Sequence, residues 1–156
     1  MNLTYDFRVP RPDVRLRLGL LLRQSHQHAA TRLNEAIGSL GLTGRHFGVL
    51  LLLDRDGVST QRDLIRQTGS DKAGMTRTVE DLESLGIVRR SPSPSDRRIA
   101  LIEMTAKGRV TFDTARRAAA AAAEDLFAGF EDAELEHLAA LLSRIGRNDD
   151  SPERTA

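Results

Sequence analysis

The chain contains no cysteine, which excludes disulfides, thiolate metal sites and any oxidant sensor that works through a thiol. No apolar run approaches the roughly 18 residues of a membrane-spanning helix and no signal peptide is recognisable, so the expected compartment is the cytoplasm. An excess of one charge is also missing. The 156 residues carry 23 Lys and Arg against 22 Asp and Glu, a formal net charge of +1, so affinity for a polyanion must arise from local clusters. The signatures GxSxG, P-loop, GxGxxG and HExxH are all absent, and the chain is expected not to be an enzyme. Its four histidines include no i, i+4 pair, and His26 and His28 point to different faces of a helix. A zinc site would have to be assembled from distant His and carboxylate residues, and neither a metal nor a cofactor is expected. No segment repeats at a period of about 20 to 50 residues.

Helical periodicity is what the chain has in abundance. From Asp13 to Leu40, the residues Leu18, Leu22, Ser25, Ala29, Leu33 and Ile37 recur at helical spacing, which predicts a helix of about seven turns that Gly41 can stop. Leu42 and Phe47 flank Thr43 at staple positions, so Thr43 is the expected N-cap of a second helix running through Val49, Leu50 and Leu53 toward Gly57. Thr60 to Thr68 and Ser70 to Leu85 then read as two short helices separated by Gly69, the layout of a helix-turn-helix. Thr60 caps the first, with Asp63 placing negative charge in its opening turn, and Ser70 or Asp71 caps the second. On that second helix Met75, Val79, Leu82 and Leu85 form the buried side. Lys72, Ala73, Gly74, Thr76 and Arg77 are left near its exposed N-terminal part. Small residues there permit close approach to a groove, while Lys, Thr and Arg suit base edges or phosphates. Gly74 costs a helix up to about 1 kcal/mol relative to Ala, so it is either kept for that approach or incidental.

The stretch VRRSPSPSDRRIALIEMTAKG, Val88 to Gly108, carries the densest information. Ile87 to Arg90 and Ile99 to Met104 have strand character, and the Ser/Pro run between them supplies the reversal. Arg97 and Arg98 therefore sit beside a hairpin tip, a position that suits a narrow minor groove or its flanking phosphates. Asp96 has the wrong sign for DNA and is expected to pair with Arg98 or with a backbone amide, holding the arginine in place. Arg89 and Arg90 fit phosphate contacts and ordinary strand-edge charges equally well.

With the helix-turn-helix followed by GIVRR and then SDRRIALIEMTAKG, the chain resembles the MarR family of bacterial winged-helix transcription regulators. The likeness runs from about GLTGRHFGVLLLL, Gly41 to Leu53, through the C-terminal helices. Asp96, Arg97 and Arg98 match the family's wing signature, and Thr105 and Gly108 its threonine and helix-opening glycine. Met104 stands where Leu is more usual, a swap of similar volume. The resemblance implies a mainly α fold with a small β-hairpin, a winged helix-turn-helix carrying long N- and C-terminal dimerisation helices. It implies a DNA-binding regulator, a repressor released from a palindromic operator by a small effector. A PadR-like regulator and a winged-helix protein-interaction module are the alternatives, and the long first helix and the arginine-bearing wing count against them.

Four segments are expected on this reading. Residues 1–42 form an N-terminal arm and first dimerisation helix, 43–108 the DNA-binding lobe, 109–147 the C-terminal dimerisation helices, and 148–156 a disordered tail. Thr105 is expected to cap a long helix containing Ala118 to Ala123, whose small side chains let another helix approach closely. Leu135, Leu138, Leu141, Leu142 and Ile145 mark a final amphipathic helix. Apolar surface at both ends of the chain favours a symmetric homodimer over a monomeric bundle.

The residues expected at a DNA operator are Thr60, Gln61, Ser70, Lys72, Ala73, Gly74, Thr76, Arg77, Arg97 and Arg98, with Asp96 as wing support. In MarR-like regulators small effectors, often aromatic and anionic, occupy the cleft between the dimerisation helices and the DNA-binding lobe. By that resemblance Arg23, His26 and His46 are candidate effector contacts, set against a reading as surface or dimer-interface residues. A cation and an imidazole together suit a carboxylate or phenolate.

Overall fold

The computed structural model describes residues 13–147. The tail expected from Asn148 onward lies outside them. Helix α1 spans Val14–Ile37 and opens on Asp13, whose carboxylate accepts the Arg15 N–H at 3.1 Å. It gives way to a short 3₁₀ turn, Gly38–Leu40, so the long first helix ends three residues before the expected limit. Ile37 alone is buried on it, and Leu18 and Leu22 are 50% and 38% exposed. Helix α2, Gly44–Asp56, starts on a reciprocal capping box. Thr43 Oγ1 accepts the His46 N–H and His46 Nδ1 accepts the Thr43 N–H.

Strand β1 follows at Val58–Thr60, then α3 at Gln61–Thr68 and α4 at Lys72–Ser84. Strands β2 (Val88–Pro92) and β3 (Ala100–Met104) make the wing, and α5 (Ala106–Leu126) and α6 (Asp132–Arg147) complete the order. Two details differ from the sequence reading. The connection between α3 and α4 takes three residues, because Asp71 rather than Ser70 is the cap, and Gly69 turns at a φ of 68°. The hairpin also gains a third strand. β1 pairs antiparallel with β3 in the order β1-β3-β2, with Thr60 opposite Leu101 and Val88 opposite Met104. Three residues are too few for a period-2 pattern to be visible in sequence.

The described residues divide into two compact units that part between Ala123 and Glu124. In the first, the core gathers Phe47, Leu50 and Leu53 of α2, Leu64 of α3, Met75, Val79 and Leu82 of α4, Ile102 of β3 and Phe112 of α5. Each such side chain contributes about 1.5–3 kcal/mol on burial. Phe47 and Phe112 pack with ring centroids 5.7 Å apart. In the second unit Phe127 and Phe130 stack edge to face at 6.1 Å, and Glu134 reaches back to the Glu131 N–H at 2.9 Å. Along α6, Leu138, Leu141, Leu142 and Ile145 are all exposed. No single described helix is long and apolar enough to cross a membrane.

One junction sets α4 and the wing against α5 in the first unit. Helix α4 ends at Ser84, and the chain leaves it through Gly86, which takes a φ of 71°, a conformation that costs a residue without a Cβ little. Lys107 Nζ then donates to the Leu85 carbonyl at 2.6 Å, and Thr105 Oγ1 donates to the Gly86 carbonyl at 2.7 Å. The Thr105 N–H donates to the Ile87 carbonyl at 3.0 Å, and Thr105 Oγ1 in turn accepts the Gly108 N–H at 3.0 Å, the N-cap of α5. A Cβ at Gly108 would lie 2.0 Å from the Ile87 carbonyl oxygen. Gly108→Ala must therefore push α5 away from the root of the wing. A loss of about 1–3 kcal/mol or more is expected in urea unfolding, and an unchanged midpoint would show that the junction yields.

Candidate nucleic-acid interface and ligand cleft

The first turn of α3 and the body of α4 are tied together by Gln61, whose Nε2 donates to Thr76 Oγ1 at 2.7 Å. Thr76 Oγ1 itself donates to the Lys72 carbonyl at 2.9 Å. Thr60 is equally engaged. Its hydroxyl donates to Asp63 Oδ2 at 2.7 Å and accepts the Asp63 N–H at 3.1 Å. These three side chains thus fix the two helices of the motif. Gly74, expected on the exposed side, is buried instead. Its N–H donates to Asp71 Oδ1 at 2.8 Å, and an added Cβ would approach Asp71 Oδ2 to 3.2 Å, so its small size accommodates the cap. Lys72, Ala73 and Arg77 remain exposed, joined by Arg62 on α3, which the sequence reading did not single out.

At the wing, Asp96 Oδ1 accepts the Arg98 N–H at 2.9 Å and the Asp96 carbonyl accepts the Ile99 N–H at 3.0 Å. Of the two roles foreseen for Asp96, the backbone amide is the one present. Arg97 and Arg98 are exposed, and among the described residues neither has a carboxylate within 4.0 Å. Arg89 and Arg90 are different. They pair with Glu103 at 2.9 Å and with Glu83 at 3.4 Å, which favours their reading as strand-edge charges.

An open cleft of about 1050 Å³ lies in the first unit. Its walls are His26, Ala29, Ala30, Leu33 and Asn34 of α1, the residues from Leu42 to Arg45 with Gly48 and Val49, and Thr68, Ser70, Met75 and Thr78 of the helix-turn-helix. Of the three candidate effector contacts, the structure brings His26 to this cleft. Arg23 is not among its walls, and the buried His46 imidazole is bound in the α2 cap with Nε2 facing Asp81 at 3.5 Å. The cation at the wall is Arg45, on the first turn of α2. Its position one residue before His46 was visible in sequence, but the turn that aims each of them was not.

Residues 40–99 match the profile of the MarR family. The chain is 34% identical over 101 residues to the transcriptional repressor NicR of Pseudomonas putida, an alignment that covers 65% of this chain and 64% of that protein, just under two thirds of its length. Among solved structures it is similar to a MarR mutant of Escherichia coli complexed with operator DNA, with 26% identity, 83% of this chain and 93% of that one covered, and a TM-score of 0.77. It is also similar to BpsR of Bordetella bronchiseptica, whose DNA binding is regulated by 6-hydroxynicotinic acid, with 27% identity, 83% and 98% covered, and a TM-score of 0.76.

The caps carry a pH dependence. The Gly74 N–H holds the Asp71 carboxyl below its ordinary value, and the Thr60 hydroxyl does the same for Asp63. A carboxyl depressed by folding stabilises the folded form above its ordinary range and loses that contribution as pH falls through the lowered value. Below about pH 4, the ordinary range of a carboxylate, α4 should fray from its N-terminus. Asp71→Asn keeps a capping oxygen and should remove that part of the acid dependence, measured as amide exchange of residues 72–75 against pH.

Proposed function

Because the chain belongs to the MarR family, we propose that it is a DNA-binding transcription regulator, a cytoplasmic homodimer that represses from a palindromic operator and is released by a small ligand in the α1/α2/α4 cleft. The observation that carries this reading is one lobe presenting Lys72 and Arg77 on an exposed helix start beside a wing whose Arg97 and Arg98 lack acidic partners among the described residues. Helix α4 enters the major groove in this reading. Arg77 reads a base edge, Lys72 and the wing arginines meet phosphates or the minor groove, and Asp96 fixes the wing backbone.

Dimerisation is supported by apolar surface that the described residues leave uncovered. Leu16, Leu18, Leu20, Leu21 and Leu22 on α1, and the leucine stripe of α6, are exposed to between 37% and 64%, and contiguous patches of this kind mark interaction surfaces. A two-fold axis would present two α4 helices about 34–36 Å apart, one turn of B-DNA, to successive major grooves. A ligand releases the operator only by binding another spacing better. The cleft supplies Arg45 and His26 for an anion and Leu33, Leu42, Val49 and Met75 for an apolar body, a combination that suits an aromatic acid. BpsR and its regulator 6-hydroxynicotinic acid are a precedent of that chemistry.

Replacing Arg97 and Arg98 together with Ala should weaken operator binding, leave the dimer intact, and make log affinity shallower against log salt by about 1 for each phosphate that the wing no longer neutralises. Wild-type affinity and slope would remove the wing from the interface. Arg77→Ala should cost about 1–3 kcal/mol concentrated at one base pair, whereas a uniform loss over all operator variants would reassign Arg77 to phosphate. A panel of aromatic acids should release the operator and raise Tm, and His26→Ala should blunt the release. A response to divalent metals or neutral hydrophobes alone would overturn the ligand class.

A further inference from the structure

Three helices are held together at the rim of the cleft by a short series of polar contacts. Asn34 of α1 accepts the Gly44 N–H on its Oδ1 at 2.7 Å. The preceding N–H, that of Thr43, donates to His46 Nδ1 at 3.1 Å. With Nδ1 accepting, the neutral imidazole carries its proton on Nε2, and Nε2 lies 3.5 Å from Asp81 Oδ2 of α4. The amides at a helix start have no acceptor within the helix, so α2 begins on acceptors supplied by α1 and by a side chain that faces α4. Asn34, Thr43 and Gly44 also line the cleft, and Asp81 lies three residues beyond Thr78, another wall residue. A ligand that takes the Thr43 or Gly44 N–H therefore competes directly with His46 or Asn34. A displacement of α1 acts on the same first turn.

We infer that Asn34, His46 and Asp81 form a positioning relay that transmits cleft occupancy and the placement of α1 to the α4 helix. This rests on the regulatory reading above and assigns the device that executes it. His46 serves as a positioning residue, since its buried ring touches the cap and α4 and does not line the cleft. Asp81 is suited to transmission more than to stability, because its side chain is 65% exposed and even a charged contact at such a site contributes little to folding.

Because the chain lacks cysteine, a spin label on Ser84→Cys, at the exposed end of α4, reports that helix alone. Pulsed dipolar spectroscopy on the dimer gives the distance distribution between the two α4 helices, and operator titration with and without 6-hydroxynicotinate gives the coupling. His46→Glu keeps a Thr-x-x-Glu capping box and so should fold, but sets a carboxylate against Asp81. His46→Gln keeps a capping residue and restores an uncharged donor. In Asp81→Ala and His46→Glu the distribution should broaden, and a tenfold weakening of operator binding by the probe should shrink below threefold while calorimetry still detects probe binding. His46→Gln should recover both readouts. A wild-type distribution or an undiminished probe response in Asp81→Ala and His46→Glu overturns the relay. Should the probe leave the wild-type operator complex unchanged, the aromatic-acid reading fails on its own and the distance distribution alone decides the relay. A chain without dipolar signal because it is monomeric overturns the relay and the dimer together.

Discussion

The close approach of Gly108 to the Ile87 carbonyl governs how α4, the wing and α5 are arranged. With a Cβ excluded at 2.0 Å, the start of α5 rests directly on the backbone that leaves α4 and enters the wing. Thr105 and Lys107 then satisfy the carbonyls of Leu85, Gly86 and Ile87. These carbonyls lie past the end of α4, whose own last turn is closed by the backbone amides of Leu85, Gly86 and Ile87, and their partners come from the residues that open α5. The angle between α4 and the wing is thus a property of three backbone groups and two side chains, and α5 cannot shift without disturbing both.

Beyond that junction, the motif residues divide into those that hold and those that are free to reach. Thr60, Gln61 and Thr76 carry hydroxyls and amides suited to a base edge, yet their hydrogen bonds run to Asp63, to each other and to the Lys72 carbonyl. Arg77, Lys72, Arg97 and Arg98 have no such engagement among the described residues. Arg89 and Arg90, equal to them in sequence, are matched by Glu103 and Glu83. Among the described residues, positive charge is thus left unmatched at the helix start and the wing tip, which is what local recognition of a polyanion requires.

Much of this was legible in the sequence because its signals are local. Thr43, Thr60 and Thr105 each cap the helix that their spacing predicts, and Asp96 bonds within its own turn. Residues whose roles depend on distant partners were harder to read. The three-residue strand β1 exists only because β3 lies beside it. Gly74 reads as a gap for DNA until Asp71 is seen against it, and His46 reads as a polar wall until its ring is found between a cap and Asp81. Arg45 and His46 are adjacent in sequence, and a single step along the helix sends one to the cleft and buries the other between the α2 cap and α4.

Strand β2 is an outer strand of the sheet, and it finishes at Pro92. An exposed edge offers unpaired amides and carbonyls to any other extended chain, and proline and charged side chains are the usual obstacles to such pairing. Pro92 has no amide hydrogen to offer, and Arg89 and Arg90 stand along the same edge. Copies crowded together at high local concentration would bring their wings side by side. The edge that carries the wing is thereby protected from stitching one copy to the next into an aggregating ribbon.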